Sequence, residues 1–418
     1  MHVEVQIGSN SQQKKVIRID DGFLAGHQKE LEAAGAAGVR PVRLAYAALH
    51  VVMKPEYRAC GHSLEKPGSP EEIAEFVDWE TTLRFRRTIA DLGFGIAEAM
   101  DTAQRFFLGW KAAERLIREC GRLNLPPGFI AGAGTDHLES IPDKKTLIDG
   151  VVDQARLIQE AGGVVILLPM PWLTRNRASE AEYVEVYGEI IRNISGPVYL
   201  HWLGEAFMAS LRGYFPGESF ESIMALDPEK VRGAKISLLD GDFEIQLRHK
   251  LMERDQIILT GDDFHFARLI RGGDQLNDEH VAPKVERWMK VGGSDCALGN
   301  FSHALLGAFD GIAGVAGPAL KYLAAGRAER FLELMLPAEE LSRAIFEAPT
   351  EHYKGGLAFL AWLNGCQDNF MLVNRQEKAR SREHYLRVAE LAARAGALTN
   401  ARLAAQRIAE LQESWEVP

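Results

Sequence analysis

Short apolar runs alternate with amphipathic stretches along most of the chain. β-prone runs fall at 42–49 (VRLAYAAL), 94–97, 129–133 (FIAGA), 164–168 (VVILL), 198–202, 234–238 and 257–260, with a weaker one at 295–298. The run at 164–168 is apolar throughout, as a parallel strand buried on both faces requires. In several of the stretches between runs, apolar residues recur at three- and four-residue intervals, the spacing of one helix face. Asp78 stands where it can cap a helix whose Phe85, Ile89 and Leu92 share a side and which Gly93 closes. Further helices are expected over 110–120 and around Ile148, Val151, Ala155 and Ile158, the latter ended by Gly162.

Eight such repeats predict a parallel sheet closed into a (β/α)8 TIM barrel, an α/β fold. An open doubly wound sheet is the alternative. No GxGxxG follows the first run, so dinucleotide binding has no support in the sequence. Past about residue 327 the strands stop and several helices follow. Ile408, Leu411 and Trp415 form a stripe on the last, with Thr399 or Asn400 placed to cap it. The chain thus divides into an N-terminal extension (1–38), the barrel (39–326) and C-terminal helices packed on the barrel (327–418).

Composition narrows the function classes. The 418 residues are 46% hydrophobic and 25% charged, enough apolar material for a large core. The net charge of -10 argues against a nucleic-acid surface, which needs clustered cations. No signal-peptide core and no membrane-length apolar run stands in the sequence. Four cysteines without CxxC spacing suggest a reducing compartment and no thiolate zinc site. The expectation is a cytoplasmic protein acting on a small molecule, with neither nucleic acid nor membrane as partner.

The site of such a barrel lies at the carboxyl ends of its strands. Polar residues collect there: His50 after the first run, Glu98 and Asp101 after the second, Asp136 and His137 after the third. His201 and Glu205 follow the fifth run, Lys235 lies in the sixth, and Asp262 and Asp263 follow the seventh. Strand side chains alternate in direction. Ala234, Ile236 and Leu238 suit the helix-packed face, which aims Lys235 inward with Gly233 and Ser237. A buried lysine has a lowered pKa, and its free amine attacks carbonyls. The resulting iminium is an electron sink for carbon–carbon cleavage, condensation or dehydration. The bland alternative is a lysine that pairs with Asp262 or Glu98 and only neutralises the site. His201 shares its parity with Tyr199 and is placed to move protons near neutral pH, unless it is a hydrogen-bonded core histidine. Glu98, Asp101, Asp136 and His137 would orient substrate hydroxyls. For Asp101 and Asp136 helix capping is the competing reading, and for Asp262 and Asp263 it is capping or charge neutralisation. His265 and His303 are read as ordinary surface or supporting residues.

The ordered segments PVYLHWLG, GAKISLLDGDFE, LTGDDFHF and SDCALGN resemble the second half of the dihydrodipicolinate synthase and N-acetylneuraminate lyase superfamily. GFGIAEAMDTAQ and IAGAGTDH fall in register with its first half. The whole chain, over about 40–390, more closely resembles an uncharacterised bacterial branch, the dihydrodipicolinate-synthase-like proteins, through AEAMDTAQR, GTDHL, HWLGE, GDDF and FEAPTEHYK. The resemblance implies that Lys235 is the Schiff-base lysine and that 261–263 form the glycine–aspartate turn after it. It also implies a homodimer or homotetramer, with the C-terminal helices as a plausible interface. Two departures matter. His201 stands where the family has a relay tyrosine, and 97–101 (AEAMD) replaces a carboxylate-binding glycine/threonine loop. Acidic groups there would repel a carboxylate and favour a neutral polyol or keto-sugar.

The leading expectation is a Schiff-base lyase or aldolase acting without a cofactor on a small, sugar-derived keto compound. The second is a divalent-metal isomerase, epimerase or aldolase, with Glu98, Asp136, His137, His201 and Asp262 as oxygen and nitrogen ligands. The third is a non-catalytic sugar-binding barrel.

Overall fold

The computed structural model describes residues 2–7, 15–36, 38–277, 284–291 and 294–413. Its centre is a closed barrel of eight parallel strands: β3 (Ala45–Ala48), β4 (Gly95–Glu98), β5 (Phe129–Ala133), β6 (Val164–Leu167), β7 (Val198–Leu203), β8 (Val231–Ser237), β9 (Ile257–Thr260) and β12 (His303–Leu306). Two antiparallel hairpins stand outside it, β1 (His2–Ile7) with β2 (Lys15–Asp20), and β10 (Arg287–Val291) with β11 (Ser294–Leu298). The fold class read from the sequence is the observed one.

The eighth strand is a correction. The 295–298 run pairs antiparallel with β10, whereas HALL at 303–306 closes the barrel by parallel pairing to β3 and β9. HALL is fully buried and no shorter than β4 or β9, but the 295–298 run stands just ahead of it with a similar short apolar signal. The hairpin puts Val291, Cys296 and Leu298 among the side chains that fill the barrel, with Ala48, Ala97, Ile130, Ile166, Tyr199, Leu259 and Leu305.

Parity decides what each strand contributes. Ala97, Tyr199 and Leu259 belong to that interior cluster, while Ile96, Leu200 and Ile258 belong to the larger one under the helices. The helix Trp79–Asp91 begins at Asp78, whose carboxylate accepts from the Thr81 N–H at 3.0 Å. Phe85 and Ile89 are buried, Leu92 is partly exposed, and Gly93 follows at φ +96°. The next two expected helices are Trp110–Arg122 and Lys144–Glu160.

The N-terminal hairpin packs on the two last helices, Arg382–Arg394 and Ala401–Glu413. Asn400 caps the final helix by accepting from the Leu403 N–H at 3.1 Å, and Ile408 and Leu411 are buried; Trp415 lies outside the described residues. The helices Phe309–Ala324 and Ala328–Ile345 pack on each other, and the latter also contacts Phe266–Arg271 after β9. No described helix is long and apolar enough to cross a membrane.

Candidate functional site

Lys235 is the fifth residue of β8, and its neighbour across the ladder is His201 on β7. The residue is 9% exposed, and its ammonium makes no hydrogen bond or ion pair to any other described residue. It does not pair with Asp262 or Glu98. Burial pulls its pKa down, opposed by the charges of Asp263 and Asp101. The same burial pushes Asp263 up, opposed by Lys235. Burial thus favours the neutral form of both groups, and at neutral pH the amine is free more often than an ordinary lysine. Room for the side chain comes from Gly261 on the facing turn, where a Cβ would come within 2.7 Å of Lys235 Cε. Asp263 also accepts from the Ala308 N–H at 3.1 Å, which orients its carboxylate in the well that it and Lys235 both line.

The lysine sits in a well of about 30 Å³, room for one or two waters. The well is lined by His201, Ser237, Asp263, Gly307 and Tyr353, and Met100, Asp101, Leu203 and Phe207 line both it and an outer chamber of about 260 Å³. His201 faces both. Its Nε2 lies 3.2 Å from Ser237 Oγ, while Nδ1 is buried without a partner. Burial, reinforced by the Lys235 charge, holds its pKa well below the usual value, so the ring is neutral. With Nε2 as the donor to Ser237, Nδ1 carries the ring's lone pair, buried and without a protein partner.

The other anticipated residues divide sharply. Asp101 reaches the chamber, but Lys354 Nζ sits 2.7 Å from its Oδ2 and the Tyr353 hydroxyl donates to the same oxygen at 3.0 Å. Asp136 also lines the chamber, gripped by Arg105 through Nε and Nη2 at 2.8 and 2.7 Å. Burial alone would raise its pKa, but Arg105 outweighs it and the carboxyl lies below its usual range. His137 stands behind, at 2.8 Å from Gln154 Nε2 and against Trp110.

Four expectations are corrected. Glu98 points away from the barrel interior. It forms a fully buried ion pair with Arg86 of the Trp79–Asp91 helix, at 2.7 and 2.9 Å. Its neighbour Ala97 faces inward, so parity turns Glu98 toward the helices. His50 is buried between Asp310, 2.8 Å from Nδ1, and Gln367, 2.8 Å from Nε2. Glu205 is exposed and bonded to Arg212. Asp262 caps its own turn, accepting from the Phe264 and His265 N–H groups and from the His265 ring. The five residues offered as a metal set therefore do not converge, and among the described residues no group of three or more His, Cys, Asp or Glu is placed to hold an ion.

Tyr353, Thr102, Lys354 and Arg105, which lie in the segments FEAPTEHYK and AEAMDTAQR, and Arg175 were given no role from the sequence. Tyr353 and Lys354 belong to the C-terminal helices, distant in sequence from every strand end. Phe346 stacks on Tyr353 at 4.3 Å and presses it into the mouth. The Tyr353 hydroxyl lies 2.8 Å from Thr102 Oγ1, and burial first, then Asp101, keep the phenol protonated. Thr102, Tyr353 and Asp101 form a continuous hydrogen-bond chain from the lysine well toward the chamber.

Comparison with known proteins bears on the fold. Residues 21–415 match the model of a family described as a protein of unknown function, DUF993. No curated protein matches the chain. A dihydrodipicolinate synthase from Oceanobacillus iheyensis is similar with a TM-score of 0.56 at 13% identity, over 84% of this chain and 95% of that one. A doubly substituted variant of the 2-keto-3-deoxygluconate aldolase of Sulfolobus solfataricus gives 0.53 at 11%, over 87% and 99%. N-acetylneuraminate lyase from Mycoplasma synoviae gives 0.52 at 12%, over 84% and 97%. The superfamily resembled by the sequence motifs is thus the one whose fold the chain shares.

Proposed function

The chain belongs to the DUF993 family, and from its barrel site we propose that it is a Schiff-base lyase or aldolase acting on a small carbonyl compound through Lys235. One observation carries the reading. Lys235 is a buried lysine with no ion-pair partner among the described residues, at the floor of a cavity, beside a carboxyl whose pKa is raised. A lysine kept only for packing or neutralisation would have a partner, because an unpaired buried charge is costly. The solved aldolase and lyase that share the fold support the same reaction class.

The Lys235 amine, its proton passed to Asp263, attacks the substrate carbonyl and forms a carbinolamine. Asp263 returns the proton to the carbinolamine hydroxyl, water leaves, and an iminium remains. A hydroxyl on the carbon beyond the adjacent one then gives up its proton. Its O–H electrons become a new carbonyl, and the carbon–carbon bond breaks toward the iminium, leaving an enamine. A proton added to the enamine carbon restores the iminium, and water releases the second carbonyl product and the free amine. His201, a neutral imidazole that lines both the well and the chamber, is the base assigned to accept the hydroxyl proton. Tyr353, through Thr102 and Asp101, links the well to the chamber for protons. Run backwards, the same steps join two carbonyl compounds.

A panel of small aldehydes, ketones and keto acids, assayed for cleavage or condensation products by NMR, tests the proposal. Turnover that Lys235→Ala abolishes is expected. Full turnover in that variant would overturn it.

A further inference from the structure

The charges around the chamber do not match the neutral substrate that the acidic loop suggested. Asp136 is spent on Arg105, and Asp101 on Lys354 and Tyr353. Neither is left to repel an anion. One charged group is left over. Arg175, at the end of the short helix Pro171–Arg175 after β6, lines the chamber at its solvent-exposed end. Its Nε donates only to the Pro171 carbonyl of its own turn at 3.3 Å, and no described carboxylate pairs with it. Much of the chamber wall is apolar, from Leu168, Pro169, Leu203, Phe207 and Met208. On the inner side the buried His201 Nδ1 has no protein partner. The chamber thus adjoins the lysine well through the residues that line both, and its mostly apolar wall carries one guanidinium that no described carboxylate pairs.

We propose that the substrate carries a carboxylate or phosphate remote from its reacting carbonyl, and that Arg175 receives this anion. The inference rests on the Schiff-base reading for the carbonyl end and on the charge balance of the chamber for the anionic end. A guanidinium binds either oxyanion in bidentate fashion, which fixes the reach of the carbonyl to Lys235 as well as adding affinity.

The test has two arms. In the first, glyceraldehyde and glyceraldehyde 3-phosphate are trapped on the protein with cyanoborohydride and the adduct at Lys235 is quantified by peptide mass spectrometry. The phosphorylated aldehyde is expected to half-saturate at about tenfold lower concentration, as one charge-assisted contact provides. Arg175→Gln is expected to bring the ratio near one, and Arg175→Lys to retain part of it. In the second, inorganic phosphate is titrated calorimetrically. Wild type and Lys235→Met are expected to bind it and Arg175→Gln to bind it at least tenfold more weakly. Absence of any Lys235 adduct alongside Arg175-dependent phosphate binding would sink the Schiff-base reading and leave the anion site standing. Phosphate binding that is absent, or equal in wild type and Arg175→Gln, overturns the anion site. So does an equal response of wild type to the two aldehydes.

Discussion

Replacing Arg86 by leucine should destabilise the protein far more than replacing Arg86 and Glu98 together. The two side chains are fully buried and joined by hydrogen bonds of 2.7 and 2.9 Å. Arg86 also donates to the carbonyls of His50 and Thr82, and Glu98 accepts from the Ala99 N–H at 2.9 Å. Removing one partner strands a charge between strand β4 and its covering helices, at a cost of about 3–5 kcal/mol. Unfolding entropy of about 2.1 cal/mol/K per residue gives about 0.9 kcal/mol/K for 418 residues. The single variants should therefore melt about 3–6 °C below wild type. An apolar pair at both positions removes the stranded charge, so Arg86→Leu/Glu98→Leu should recover most of the loss. Calorimetric melting of the four proteins reads this directly, with aldehyde trapping at Lys235 in parallel. Additive losses in the double variant would refute the ion-pair account. A Glu98→Gln protein that melts like wild type yet traps substrate poorly would return Glu98 to the substrate site.

Other outcomes follow from the lysine well. Burial lowers the Lys235 pKa, so its reactivity toward an aldehyde should rise with pH through a midpoint well below the free-lysine value of about 10.4. Asp263→Asn deletes the charge that favours the protonated amine, so that midpoint should fall further; a midpoint that rises would contradict the assigned coupling. Gly261→Ala puts a methyl group against Lys235 Cε and Ser237 Oγ and should cut adduct formation at least tenfold while the protein stays folded by circular dichroism. Unchanged trapping in that variant would mean the amine does not occupy this seat.

Much of the architecture was legible because it is periodic. Seven of the barrel strands, the inward aim of Lys235 and the shared parity of His201 and Tyr199 all follow from alternation along the chain, and no tertiary knowledge is needed. The eighth run was misplaced because β11 is longer than HALL and carries apolar residues of its own, and only hydrogen-bond partners separate a hairpin from a barrel strand. Glu98 and Asp262 were read by position at a strand end when parity, applied to Ala97 and Gly261, turns both away from the well. The charge balance of the chamber was beyond the sequence for a different reason. Whether an acid repels a ligand depends on its partners, and Arg105 and Lys354 reach Asp136 and Asp101 from 31 and 253 positions away, Lys354 from the C-terminal helices. Tyr353 enters the mouth from the same region, where no strand pattern points.

Borohydride reduction of the protein during turnover of an accepted carbonyl compound, followed by intact-mass and peptide mapping, addresses the central claim most directly. The account predicts one covalent adduct per chain, located on Lys235, absent without substrate and absent in Lys235→Met. Turnover without any reducible adduct, or an adduct on another residue with Lys235 unmodified, would contradict it.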